Sequence, residues 1–279
     1  MTVNHNQQSK IALINDLTGF GKCSIPVQLP VISILGVQCC PLPTSIFSNH
    51  TAYDSFFFTD YTKSMTAYAD EWAKLNLEFE GICTGFLGSA KQISIVSDFI
   101  NRFKKDDTVV IIDPVMGDNG ITYSTYTPEM CRLMKKLVCL ADIITPNLTE
   151  ACILTDTPYT DDKWKVADIE KMARKLSASG PSKVVITGIN QGRYVANFCY
   201  EADKPSKVLR THKIGTSRFG TGDIFSAIIA ADAVNGVPFE VSVKKASAFI
   251  KKCIQKSVEM DIPITDGVAF EEVLHTLRK

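Results

Sequence analysis

The nonapeptide Gly215-Thr-Ser-Arg-Phe-Gly-Thr-Gly-Asp223, followed at once by the apolar run Ile224 to Val234, combines an anion site with a base beside it. Glycines at 220 and 222 permit a tight turn, so that successive peptide N–H groups and the positive end of the next helix converge on one negative charge. Asp223 then stands at the helix start, beside that charge. A carboxylate next to a bound phosphate calls for a task, and taking the proton from a hydroxyl that attacks a phosphoryl group is one. Catalytic roles are therefore expected for Gly220, Thr221, Gly222 and Asp223, in a small-molecule kinase. The plain alternative is a loop in which Asp223 merely caps a helix.

Two other phosphate loops fail on their chemistry. Gly215 and Gly220 have the spacing of a Walker loop, yet Thr221 stands where Lys must reach the phosphates. Gly19-Phe-Gly-Lys-Cys-Ser24 imitates a dinucleotide fingerprint, which needs an acid about 20 residues later to hold the ribose. No Asp or Glu occurs between Gly19 and Asp54. The first loop is expected to be a turn lining a ligand pocket.

Acids and amides gather elsewhere. Asn147 and Glu150 lie three apart at the start of an expected helix and share a face, which suits a hydrated Mg²⁺ but is also the spacing of a capping box. Spacing alone favours the cap. Asp113-Pro-Val-Met-Gly-Asp118 ends a buried strand with one acid and presents another, and buried acids need partners. With Glu150, Asp113 and Asp118 compose an acidic wall for Mg²⁺ between nucleotide phosphates and Asp223; Asp118 and Glu150 are the candidate metal residues. Thr187-Gly188 is expected at the lip of a nucleotide pocket, and Lys213 and Phe219 on its phosphate side, although an isolated Lys is commonly just solvated. His50 could meet a ligand or satisfy a structural hydrogen bond.

These residues need a frame. Lys10–Asn15, Gly81–Thr84, Val109–Asp113, Asp142–Thr145 and Lys183–Thr187 read as strands. Pro26–Leu35, Ser64–Leu75, Ala90–Phe103, Pro128–Val138 and Asp168–Ser179 carry apolar residues at helical spacing. Strands apolar on both sides and alternating with helices imply a mostly parallel sheet covered on both faces, with ligands beyond its carboxyl edge. Asp16, Thr84, Asp113, Thr145, Asn147 and Thr187 all fall at that edge. Ser48–Tyr61, with Phe56-Phe57-Phe58, breaks the alternation as a flap or an aromatic contact patch. Tyr194–Ile214 holds two alternating strand-like runs.

At 279 residues the chain suits one α/β domain, expected over 1–279. Thirty basic and thirty acidic residues cancel, which argues against nucleic acid or anionic membrane as partner and for a small molecule. No apolar run approaches the roughly 18 residues of a membrane span. The polar amino terminus lacks the apolar centre of an export signal, and nine cysteines show no CxxC or metal spacing. Reduced thiols in a cytoplasmic protein are expected. Cys39 and Cys40, neighbours on a strand, should point to opposite faces rather than act together.

Phe47-Ser-Asn-His-Thr-Ala-Tyr53, Thr84-Gly-Phe-Leu-Gly-Ser89, Asp113–Asp118, Ala141–Asn147, Val184–Thr187 and Gly220–Asp223 resemble, in order, the motifs of pyridoxal kinases in the ribokinase-like superfamily. The resemblance spans nearly the whole chain. It implies a three-layer α/β sandwich with a mostly parallel central sheet and a small flap, ATP as donor, a divalent metal with a monovalent cation such as K⁺ assisting, and a homodimer. Asp223 would deprotonate the hydroxymethyl group of pyridoxal, pyridoxine or pyridoxamine. Asp118, Thr145, Asn147 and Glu150 match the metal and phosphate region, and Thr187 and Thr221 match nucleotide contacts. Ser45, Phe47, His50, Thr51 and Tyr53 fall in or beside the block lining the pyridine pocket. Asp16 stands where the family commonly has a ring-contacting Ser, and Phe86 where it often has Tyr, so both are substrate-side candidates for vitamer preference. Hydroxymethylpyrimidine kinases more often carry an acid at that first position, and such a kinase is the alternative. A binding protein without turnover is a further one, against which the retained Asp223 speaks.

Overall fold

The computed structural model describes residues 4–278. All five expected strands form, as β1 (Lys10–Thr18), β4 (Gly81–Thr84), β5 (Val109–Ile112), β8 (Ile143–Ile144) and β9 (Lys183–Gln191), with β5 and β8 shorter than expected. The remaining strands are β2 (Gln38–Phe47), β3 (Phe58–Asp60), a small hairpin of β6 (Gly117–Asp118) and β7 (Ile121–Thr122), then β10 (Tyr194–Glu201) and β11 (Lys207–His212). Helices are α1 (Ile25–Ile34), α2 (Thr62–Lys74), α3 (Ala90–Phe103), α4 (Pro128–Leu137), α5 (Leu148–Thr155), α6 (Val166–Ser177), α7 (Thr221–Val234) and α8 (Phe239–Glu259).

Among the described residues the main sheet runs β11-β10-β9-β8-β5-β4-β1-β2-β3. Pairing from β9 through β2 is parallel, and the ends β10, β11 and β3 are antiparallel. Alternation along the central strands feeds two cores. Ile11 and Leu13 of β1, Ile111 of β5 and Val185 of β9 pack with α1, α7 and α8. Ala12, Ile14, Val110, Ile112, Val184 and Ile186 pack on the other face with α2, α3, α4 and α6. The result is the three-layer α/β sandwich expected from strands apolar on both sides.

Two elements differ from the sequence reading. β2 carries Pro41 and Pro43, which remove ladder donors; outward of β1 it is paired only at Ser45–Phe47, so its proline half lies on an unpaired edge where such residues are tolerated. α8, outside the expected helices, buries Phe239, Val243, Ala246, Phe249 and Cys253 at three- and four-residue steps. All nine cysteines are free thiols, and burial, with Cys40 adjacent, pushes Cys39 up to about 12. No helix among the described residues is long and apolar enough to cross a membrane.

Candidate active site

A cavity of about 710 Å³ lies where the central strands run out at their carboxyl ends. Its walls include Asn15 after the core of β1, Phe86 after β4, Asp113 after β5, Thr145 and Asn147 after β8, and Thr187 and Gly188 of β9. Gly220, Thr221, Gly222 and Asp223 form its floor, with Phe219, Lys213 and the hairpin residue Asp118 at the rim.

Gly220 opens α7 in the left-handed region, at φ 81°. A Cβ there would stand 2.1 Å from the Lys22 carbonyl oxygen, so the anion loop lies against the first glycine loop without room for a side chain. A Cβ on Gly222 would meet nothing within 4 Å. The backbone therefore faces free space at the helix start, where the first-turn amides have no helical acceptor. Asp223 follows in the first turn; its Oδ1 accepts from Asn15 Nδ2 at 3.3 Å, and the Ser24 amide lies close to its carboxylate. Burial raises Asp223 to about 6, the Asp16 charge adds to the rise, and the Ser24 and Asn15 donors oppose it. A carboxylate tuned to that range is ionised at neutral pH yet accepts a proton readily.

The acidic wall is uneven. Burial first, then the Asp223 charge, drives Asp113 well above the usual carboxylate range. The Thr145 hydroxyl beside it is buried without a hydrogen-bond partner. Glu150 forms the capping box with Asn147: Oε2 accepts the Asn147 amide at 2.8 Å while Asn147 Oδ1 accepts the Glu150 amide at 3.0 Å. Its Oε1 accepts the Met116 amide at 3.1 Å, and its carboxylate lies behind the cavity wall rather than on it. Burial and the Asp113 charge push Glu150 up as well. No cluster of three or more His, Cys, Asp or Glu side chains arranged to cage a metal occurs among the described residues. An orphaned Thr145 hydroxyl, the buried Asp113 and the exposed Asp118 nonetheless fit a cation that keeps its waters and touches few protein groups.

At the other end of the cavity several expected residues lie off the wall. Asp16 is off the wall: its oxygens accept from the Ser24 and Thr18 hydroxyls, each at 2.6 Å, and burial raises its carboxyl. A register irregularity between Asn15 and Leu17 accompanies this, and Asn15 takes the cavity position instead. His50 donates from Nε2 to the Thr265 carbonyl at 2.7 Å, accepts the Ala52 amide at Nδ1, and stacks on Phe219 at 4.1 Å. Phe219, expected among nucleotide contacts, thus lines the cavity while stacking on the Ser48–Tyr61 segment. Tyr53 donates to Asp266 at 2.9 Å, and burial with that carboxylate raises it to about 12. Neither His50 nor Tyr53 lines the cavity, and Thr51 is exposed outside it. Ser45 and Phe47 are buried behind Phe86, with the Phe47 and Phe86 rings 6.1 Å apart at 69° and the Ser45 hydroxyl unpartnered. Asn15 lines the cavity although residue spacing did not single it out, and Ser24 of the first loop and Arg218 of the nonapeptide line it as well. Arg218 donates from Nη1 to the Ile262 and Pro263 carbonyls and so fastens the anion loop to the carboxyl-terminal turn.

This sheet, with its acid-tipped strand ends and glycine-opened helix start, is that of the ribokinase-like α/β kinases. Within that class the chain belongs to the family whose model is described as phosphomethylpyrimidine kinase, which matches residues 27–265. A hydroxymethylpyrimidine/phosphomethylpyrimidine kinase of Haemophilus influenzae is 31% identical over 189 residues, covering 66% of this chain and 68% of the relative. A pyridoxal kinase of Arabidopsis thaliana is 30% identical over 209 residues, covering 71% and 65%. A candidate phosphomethylpyrimidine kinase of Bacteroides thetaiotaomicron, solved with pyridoxal, superposes with a TM-score of 0.94 at 36% identity, over 98% of this chain and 96% of that one. The chain is a kinase of this family, whose members divide between the two substrate names.

Proposed function

We propose that the protein transfers the γ-phosphoryl group of ATP to the hydroxymethyl group of a vitamin B6 alcohol: pyridoxal, pyridoxine or pyridoxamine. The observation that carries this reading is Asp223, a carboxylate poised near neutrality at the cavity floor beside the open backbone of Gly222. Asp223 removes the hydroxyl proton as the oxygen bonds to the γ-phosphorus. The bond from that phosphorus to the β,γ-bridging oxygen breaks, ADP leaves, and the proton stays on Asp223. Amides of Gly220 to Gly222 stabilise charge on the transferring group. Thr187 and Gly188 border the nucleotide end, with Lys213 near the phosphates.

Mg²⁺, where bound, neutralises phosphate charge. Asp118 would hold it at the rim, with Asp113 nearer the floor and Glu150 acting through water, which keeps its cap bonds. For the alcohol, the aromatic face of Phe86 backed by Phe47 suits a planar ring, and the similar Bacteroides protein was crystallised with pyridoxal. The family description and the Haemophilus relative favour a second reading, a hydroxymethylpyrimidine as acceptor. ADP release measured with each B6 alcohol and with hydroxymethylpyrimidine separates them. The B6 alcohols should give the larger kcat/KM; a preference for the pyrimidine would replace the first reading with the second.

A further inference from the structure

Asn15 occupies a position that the expected machinery leaves out. Its side chain is buried, 1% exposed, at the junction of β1, α1, α7 and the turn after β4. Oδ1 accepts two backbone amides, from Phe86 at 2.7 Å and from Asp16 at 2.9 Å. Those two N–H donors settle the orientation of the amide, because the flipped form would set its NH₂ group against both. Nδ2 must then face the other way, where it donates to Gln28 Oε1 at 2.8 Å and to Asp223 Oδ1 at 3.3 Å. Gln28 in turn donates to the Ser226 hydroxyl at 3.0 Å, which donates to the Asp223 carbonyl at 3.2 Å. Gln28 and Ser226 are fully buried, so the base is held from its carboxylate and from its backbone by one closed network. Gly85 is the independent sign that this place is reserved: a Cβ there would lie 2.4 Å from the Asn15 carboxamide carbon and nitrogen.

We propose that Asn15 is a positioning residue for phosphoryl transfer: its NH₂ group aims the Asp223 carboxylate, while its carbonyl oxygen anchors the Phe86 backbone at the ring end of the cavity. One rigid amide thus fixes the distance between the base and the wall against which the alcohol lies. The inference rests on the reading of Asp223 as the base. Donation to the ionised carboxylate also favours that form. The other titratable groups facing Asp223 are Asp16 of β1, Cys23 of the first loop, Cys83 of β4, Asp113 after β5 and Tyr123 after β7. Burial raises all five, and none of them donates a hydrogen bond to the Asp223 carboxylate.

The test is the pH dependence of kcat, with KM for alcohol and for ATP, in the parent, Asn15→Ala and Gly85→Ala. The second variant crowds the amide without removing it and keeps the test alive if the first does not fold. Loss of the donor should move the acid limb of kcat up by about one pH unit, so that the deficit is about tenfold larger below that limb than above it. KM for the alcohol should rise about three- to tenfold through the freed Phe86 backbone, with KM for ATP within about twofold of the parent. An unmoved acid limb, or a uniform fall at every pH with both KM values rising together, would overturn the proposal. Asp223→Asn, assayed alongside, separates the two ideas: full activity in that variant removes the base itself, whereas an inactive Asp223→Asn with parental Asn15→Ala kinetics removes only the role of Asn15.

Discussion

The two ends of the cavity are built differently. At the helix-start end, Thr145, Thr187, Gly188 and Gly220 to Asp223 come from strand termini and a helix start and line the cavity, and at Gly188 and Gly222 the backbone faces open space. At the other end, several of the expected residues are engaged with neighbouring segments instead: His50 with Phe219 and Thr265, Tyr53 with Asp266, Asp16 with Ser24 and Thr18. A phosphate is recognised by backbone, whose position follows from the fold. A ring is recognised by side chains, whose direction depends on local packing. Residues at strand termini and at the helix start are therefore the ones whose place on the cavity can be read from order along the chain, whereas local packing decides that Asp16, His50, Thr51 and Tyr53 lie off its wall.

The contrast can be broken or sharpened by substitution. Asp223→Asn carries the largest effect expected: kcat falls by about 10² to 10⁴ while ATP and vitamer still bind. The same change should stabilise the fold above neutrality. Burial raises Asp223 to about 6, so the native state favours its protonated form, and the stability tied to that form is lost as pH rises through 6. Thermal melting should show Asp223→Asn gaining on the parent above pH 7, by about 1–3 kcal/mol, and converging with it near pH 4.

Gly222→Ala comes next. Its methyl projects into free space, so the variant should melt like the parent yet lose about tenfold or more in kcat/KM, because the phosphate position is narrowed. Gly220→Ala should instead lower stability by about 1–3 kcal/mol, since its φ is 81° and the Lys22 carbonyl blocks a side chain. Equal behaviour of the two glycines in melting would break the picture of one face packed and one open.

At the ring end the effects shrink. Asp16→Ser removes a carboxylate that reaches the base through Ser24, so kcat/KM should change alike, within about threefold, for all three B6 alcohols. A reordered preference would return Asp16 to the ring. Tyr53→Phe is the mildest: loss of its bond to Asp266 should cost about 0.5–1.5 kcal/mol in melting and leave kcat within about twofold.

What the sequence carried and what it hid follow the same division. Alternating strands and helices, and the acids and threonines at strand ends, were legible because period and turn residues report backbone. β2 escaped in part because its two prolines are tolerated only on an unpaired edge, a fact of sheet order rather than of sequence. Asn15 escaped because it sits next to Asp16, and one step along a strand exchanges the cavity for the opposite side. Glu150 shows the converse: three-residue spacing permitted a cap or a metal site, and the cap bonds formed.

The most direct test of phosphoryl transfer to the alcohol is phosphorus NMR of the enzyme with ATP, Mg²⁺ and pyridoxine. A new phosphomonoester resonance, coupled to the hydroxymethyl protons, should grow as ATP is converted to ADP and be nearly absent with Asp223→Asn. ATP consumed only to inorganic phosphate, or a phosphomonoester formed equally fast without the Asp223 carboxylate, would contradict this mechanism.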